Sequence, residues 1–332
     1  MGTPEKLSTN TWFHLLHVPK IGWLRTGYQG CIRAVRRKLR ELKPDIVDGQ
    51  GTERECALCA VYSGFPNVVT IHGNMNAIAR ALRARVGTYH WCAAQLERFA
   101  LPRTLGVFCN SAYTESVARP FARRTWRVPN ALRREFFDTP IPASPTPSKP
   151  TLLNIGAVSP YKRQLEVLRL AHDLHRDGNV FELRFIGAAD RTSKYGAAFL
   201  DQIAVAECDG YARHSGIKSL PALIAMLDSA SALIHVPSQE AFGLVVAEAL
   251  SRNLKVFGTN VGGVLDIAEG VEGAELFPVG NDDALAAAIG NWAQKGCPQL
   301  ASAAAEMRRR YHPEVIAKRH VEIYHEVLSK PS

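Results

Sequence analysis

The chain is predicted to be an α/β protein made of two Rossmann-like, doubly wound parallel-sheet domains. Three observations predict it. At 332 residues it is long enough for two domains with separate cores. Short apolar runs alternate with helical patterns throughout, the pattern of parallel strands joined by crossover helices. A stretch rich in Pro, Ser and Thr, TPIPASPTPSKP at 139–150, interrupts that alternation and reads as an extended linker. The expected organisation is a first domain over 1–138, the linker 139–150, a second domain over 151–312, and a last helix over 313–332.

In the first half the apolar runs place strands at Phe13–Val18, Asp45–Val47, Asn67–Ile71, Gly106–Cys109 and Thr125–Val128. Helical patterns fall between them at about 28–43, 52–63, 76–99 and 112–118. In the second half the strands are expected at Thr151–Ile155, Phe181–Ile186, Ala204–Tyr211, Ala232–Val236, Lys255–Gly258 and Glu275–Phe277. Helices follow at about 163–176, 194–202, 219–228, 243–252, 263–268 and 282–295. Ligands of such folds bind outside the carboxyl ends of the strands.

Composition excludes several classes. No apolar run approaches the roughly 20 residues that span a bilayer. The opening MGTPEKLSTN has no apolar stretch of a secretory signal, so a cytoplasmic protein is expected. Of seven cysteines only Cys56 and Cys59 form a C-x-x-C, and no second pair or spaced histidines complete a zinc site. Charge is uneven: residues 1–150 carry 22 Lys and Arg against 10 Asp and Glu, a net of +12, whereas 151–332 carry a net of −3. The basic clusters are Arg36-Arg37-Lys38-Leu39-Arg40 and Arg80-Ala81-Leu82-Arg83-Ala84-Arg85. An anionic membrane surface, a nucleic acid and a merely solvated face are the alternatives. No array of stacking aromatics or known nucleic-acid module favours the second.

The most informative segment is HVPSQEAFGLVVAEALSRNLKVFGTNVGGVLDIAEG, 235–270. A buried strand ends at Val236, Pro237-Ser238 break it, and a helix begins near Gly243. Glu240 therefore sits in the strand-to-helix loop and Glu248 inside the helix, with an anion-attracting helix start between them. This arrangement resembles the E-x7-E motif of retaining GT-B glycosyltransferases, most closely glycosyltransferase family 4, including Pro237-Ser238, Gly243, Ala249 and Gly262-Gly263. The resemblance implies a GT-B fold with the active site in a cleft between the domains and the last helix returning to the first. It also implies that Glu240 touches the donor sugar, that Glu248 holds the ribose diol, and that Phe242, Gly243 and Leu244 offer amides to the diphosphate.

Strand Leu152–Ile155 runs into Gly156-Ala-Val-Ser-Pro-Tyr-Lys162-Arg163, where glycine admits a ligand and Lys162 opens the next helix. Lys162 matches the family's lysine that neutralises donor phosphate as the leaving group departs. The family's second phosphate-binding arginine is replaced by Ala157, and Arg163 is the candidate substitute. In the first half, Val68–Ile71 ends in His72-Gly73-Asn74, and the family places a histidine here against the donor sugar. Asn110-Ser111 and Pro129-Asn130 match further landmarks and are read as turn or cap residues first. Asp266 is read as a helix cap and His235 as core. The family's usual first strand and glycine-rich loop have no counterpart, and Ile21-Gly22 and Thr26-Gly27 are poor substitutes, so either a naturally shortened first domain or a missing front of the gene is expected. No Asp-x-Asp metal motif or Ser-His-Asp arrangement occurs. The expected activity is sugar transfer from a nucleoside diphosphate sugar to an acceptor hydroxyl with retention, without metal or cofactor. A non-catalytic or weakly active nucleotide-sugar-binding protein is the alternative, and a lipid-linked or polysaccharide acceptor would suit the basic half.

Overall fold

The computed structural model describes residues 4–19, 24, 26–142 and 149–329. The chain divides into two compact units, Met1–Val128 with Arg319–Ser332, and Pro129–Lys318. The linker's centre, 143–148, and Ile21-Gly22 lie outside the described residues.

The first unit opens with an exposed antiparallel hairpin, β1 (Glu5–Ser8) and β2 (Thr11–Phe13). The strand expected at Phe13–Val18 is therefore absent, and Thr11–Phe13 pairs with its own neighbour instead of joining the parallel sheet. After α1 (Gln29–Leu42) come β3 (Val47–Gln50), α2 (Cys56–Val61), β4 (Asn67–Ile71), α3 (Met75–Ala81), α4 (Tyr89–Ala100), β5 (Val107–Cys109), α5 (Ala112–Ala118) and β6 (Thr125–Arg127). The four later strands form a parallel sheet in the order β3-β4-β5-β6. The single helix expected over 76–99 is two, because Arg83 and Gly87 both take positive φ and end α3 before α4 begins. Val68, Val69, Val107 and Phe108 are fully buried, as the central strands of a covered sheet must be.

Pro129 begins the second unit, so the packing boundary precedes the charge boundary near residue 150. Its elements are α6 (Glu135–Asp138), β7 (Thr151–Ile155), α7 (Gln164–Arg176), β8 (Glu182–Ile186), α8 (Lys194–Cys208), β9 (Ala212–His214), α9 (Leu220–Asp228), β10 (Ala232–His235), α10 (Leu244–Leu250), β11 (Lys255–Thr259), α11 (Val264–Ala268), β12 (Ala274–Phe277), α12 (Asp282–Gln294), α13 (Ala303–Tyr311) and α14 (Pro313–Ser329). The run Ala204–Cys208, expected as strand, continues α8: Phe199, Ile203 and Ala206 are buried at helical spacing while Val205 faces solvent. Helix α13 was not expected at all.

Six parallel strands stand in the order β12-β11-β10-β7-β8-β9. Strand order reverses between β7 and β10, which makes their carboxyl ends the topological switch point. The β7–β10 ladder stops at Leu153 opposite Leu233, and beyond it the buried Asn154 amide donates to the Ile234 carbonyl at 2.8 Å. The two strands thus diverge toward their ends without leaving that carbonyl unsatisfied. The last helix runs from the second unit into the residues of the first, where Ile323 is fully buried and Tyr324 donates to Asp48 at 2.9 Å.

Candidate active site

Two loops leave the switch point of the second unit. The β7 loop turns at Gly156, whose φ of 150° is open to glycine, and Gly187 must approach it closely: a Cβ there would lie 2.1 Å from the Gly156 carbonyl oxygen. A short turn at Pro160–Lys162 then delivers Lys162. The β10 loop carries Glu240. Ser238 donates its N–H to the Tyr161 carbonyl at 2.8 Å and so ties the two loops together.

Sequence reasoning placed Lys162 and Glu240 separately, and the structure joins them: Lys162 Nζ donates to Glu240 Oε2 at 2.5 Å. The same oxygen accepts from His235 Nε2 at 3.1 Å. Burial alone would raise the Glu240 carboxyl, but the His235 hydrogen bond and the Lys162 charge outweigh it and hold the group at about 2. Burial pushes His235 the other way and keeps it neutral, although the Glu240 hydrogen bond opposes that. His235 is thus more than core. It was invisible because a histidine inside an apolar run looks structural until its loop is seen to fold back five residues later.

Glu248 differs in kind. It lies just past the first turn of α10, half-buried, and among the described residues nothing donates a hydrogen bond to its carboxylate. Burial lifts it to about 7, with only the Arg133 charge in opposition. A carboxylate on the edge of ionisation with unused acceptor capacity suits a pair of neutral hydroxyls.

Between the two glutamates, Phe242 turns its ring inward: it is 3% exposed and meets Tyr311 edge-on at 5.6 Å. Only its main chain is left for a ligand. Gly243 starts α10 in the left-handed region, at φ 97°, and Leu244 is exposed. The first turn of any helix carries N–H groups without partners inside the helix. Gly262 and Gly263 support this loop from behind, since a Cβ on Gly262 would sit 1.6 Å from the Glu240 carbonyl oxygen. Their role is close backbone approach.

Arg163, the candidate substitute for the cation missing at Ala157, meets Asp282 with one nitrogen, while its buried Nη1 has no hydrogen-bond partner among the described residues. Its left-handed backbone and buried side chain bring Nη2 to Asp282 at 3.1 Å. In the first unit, His72 follows β4 as expected, exposed, and donates from Nε2 to Gln50 Oε1 at 3.0 Å. Asn110 donates to the His72 carbonyl at 3.4 Å, and Ser111 caps α5 in a reciprocal capping box with Thr114. The buried Glu97, which sequence did not single out, accepts from the Met75 and Asn76 N–H groups and from Thr52, and so fixes the segment after His72. Among the described residues there is no group of three or more His, Cys, Asp or Glu that could hold a metal ion, and no helix long and apolar enough to cross a membrane.

The two parallel sheets and their connections are those of the GT-B glycosyltransferase fold, and solved structures match it over nearly the whole chain. Residues 139–312 match the family model described as glycosyl transferases group 1, and the chain belongs to that family. Sucrose-phosphate synthase from Thermosynechococcus elongatus is similar at TM-score 0.77 and 16% identity, over 98% of this chain and 86% of that one. HepE of Anabaena, solved with UDP-glucose, is similar at TM-score 0.74 and 17% identity, over 94% and 85%. A glycosyltransferase from Rickettsia africae gives 0.69 and 14%, over 90% and 81%. No curated protein sequence matches.

Proposed function

We propose that this protein is a retaining transferase of glycosyltransferase family 4 that moves a sugar from a nucleoside diphosphate sugar to an acceptor hydroxyl. The observation that carries the reading is the pairing of Lys162 with Glu240 at the switch point, one short helix from the unpartnered carboxylate of Glu248. Glu248 accepts from the ribose diol, and Glu240, held ionised, accepts from hydroxyls of the transferred sugar. Lys162 offsets charge on the departing diphosphate together with the main-chain N–H groups of Phe242, Gly243 and Leu244. Gly156 leaves room for the same phosphates. His72 is the first unit's proposed contact with the sugar. The departing phosphate itself takes up the acceptor proton, so that no enzymic nucleophile is required and neither metal nor cofactor is called for. That HepE was solved with UDP-glucose supports a nucleotide-sugar donor. The acceptor is proposed to be lipid-linked or a polysaccharide, and the basic first half to meet an anionic membrane surface.

Arg163's pairing with Asp282 favours a second reading, a nucleotide-sugar-binding protein with little turnover, because the candidate replacement for the cation missing at Ala157 already meets a carboxylate. A thermal-shift screen against UDP-, GDP- and ADP-sugars, followed by donor consumption and the anomeric configuration of the product by NMR, separates the two. Stabilisation by one donor with slow turnover and a retained anomer is expected. Stabilisation without consumption supports the second reading, and no stabilisation by any donor refutes both. Glu248→Ala should cut nucleotide affinity at least tenfold with the fold intact, and unchanged affinity would remove the ribose role.

A further inference from the structure

The turn between α3 and α4 combines three features. First, its charge is one-sided: from Cys56 to Leu96 the chain has no Asp or Glu, and the arginines of that interval are Arg80, Arg83 and Arg85. Among the described residues none of the three has a carboxylate within ion-pair reach. Second, apolar side chains stand among and just after them in solvent: Leu82 is 58% exposed, Val86 80% and Tyr89 44%. Third, the shape is fixed. Arg83 holds φ at 46°, its N–H donates to the Arg80 carbonyl at 3.0 Å, and the Ala84 N–H donates to the Ala79 carbonyl at 2.9 Å. Those are the two bonds of a Schellman ending, with arginine at the position glycine usually takes. Thr88 then donates to the Arg85 carbonyl at 2.6 Å, and Tyr89 to the Glu53 carbonyl at 3.0 Å.

We infer that the segment 79–89 is the part of the first half that enters an anionic lipid surface, with Leu82 and Val86 in the acyl boundary and Arg80, Arg83 and Arg85 on lipid phosphates. The inference deepens the proposed membrane contact and rests on it. A protein partner would need carboxylates placed against each arginine, whereas a lipid surface supplies mobile anions and an apolar layer together. A rigid turn loses little conformational freedom on insertion, which favours it over a flexible basic tail.

Vesicle flotation at physiological salt tests this, with full-length protein and vesicles of equal phosphatidylglycerol and phosphatidylcholine. Wild type should float with these vesicles and not with phosphatidylcholine alone. Replacing Arg80, Arg83 and Arg85 by Gln should lower partitioning roughly a hundredfold. Leu82→Ser with Val86→Ser should lower it about tenfold or more without changing net charge. Gln at Arg33, Arg37 and Arg40 of α1 is the charge-matched control and should cost less than the loop triple. Circular dichroism and melting confirm that every variant folds. No flotation of wild type would overturn the membrane contact itself. Flotation that the loop and α1 variants reduce equally would overturn the loop alone, as would intact flotation of the serine pair. Tight loop-dependent binding of duplex DNA with no flotation would assign the arginines to a nucleic acid.

Discussion

Glu240 and Glu248 share a residue type and a loop-helix unit, yet their carboxyls are shifted in opposite directions from the ordinary value. Glu240 has a donor on one oxygen from both Lys162 and His235, and ionisation is favoured in spite of burial. Glu248 has burial with only the Arg133 charge against it, which lifts its carboxyl to about 7. The sign of the consequence follows. A carboxyl raised above its unfolded value binds more protons folded than unfolded, so its contribution to stability is lost as pH rises from about 4.5 toward 7 and beyond. Glu248→Gln is therefore expected to stabilise the protein by about 2–3 kcal/mol at about pH 8 and hardly at all at about pH 5, measured by urea unfolding. Equal effects at both pH values would show that the carboxylate is not strained. Glu240 has the opposite sign: its depressed titration contributes stability above about 4.5 that is lost as pH falls toward about 2. The spacing of the two glutamates was legible in sequence. Their unequal ionisation was not, because it depends on His235 and Lys162 arriving from β10 and the β7 loop.

At the scale of elements, the strand-loop-helix units are held by residues far apart in sequence. Arg252, after α10, is 4% exposed and forks onto Asp228 while donating to the carbonyls of Phe136, Thr139 and Pro140. It staples the segment after α6 to the second unit. Arg252→Ala leaves a buried carboxylate and three carbonyls short of donors, and should cost about 3–5 kcal/mol, seen as a lowered melting temperature. A loss under about 1 kcal/mol would mean that water replaces the guanidinium. Gly262→Ala is the complementary test. The added methyl meets the Glu240 carbonyl on a left-handed backbone, so the loop must shift. Donor affinity should fall at least tenfold while the far-ultraviolet spectrum is kept; unchanged affinity would detach Glu240 from the donor. Helix α10 was readable from its pattern. Helix α8 was misjudged because Ala-Val-Ala suits either element locally, and the buried face of Phe199, Ile203 and Ala206 decided the matter.

At the scale of the molecule, the chain's end completes the first unit. Ile323 is fully buried there, Phe108 faces His320 at 4.6 Å and Tyr324 at 5.7 Å, and Arg124 pairs with Glu326. Burial raises Asp48, and the Tyr324 and Thr70 hydroxyls offset part of that. Tyr324→Phe removes one donor and should cost about 1–3 kcal/mol, with amides of 319–329 exchanging faster than those of β10 and β11. Unaltered exchange in that segment would mean that the phenol adds nothing. By itself the sequence determined the alternation of strand and helix, the asymmetry of charge and the Glu240–Glu248 spacing, because these are periodic or local and survive in one dimension. Only the tertiary structure decided that His235 serves Glu240, that Arg163 meets Asp282, that Glu97 braces the turn after His72 and that residues 5–13 pair with themselves. The first three depend on which strands and helices lie side by side, which packing of the whole sheet sets; the hairpin is a local pair that stands exposed outside the parallel sheets.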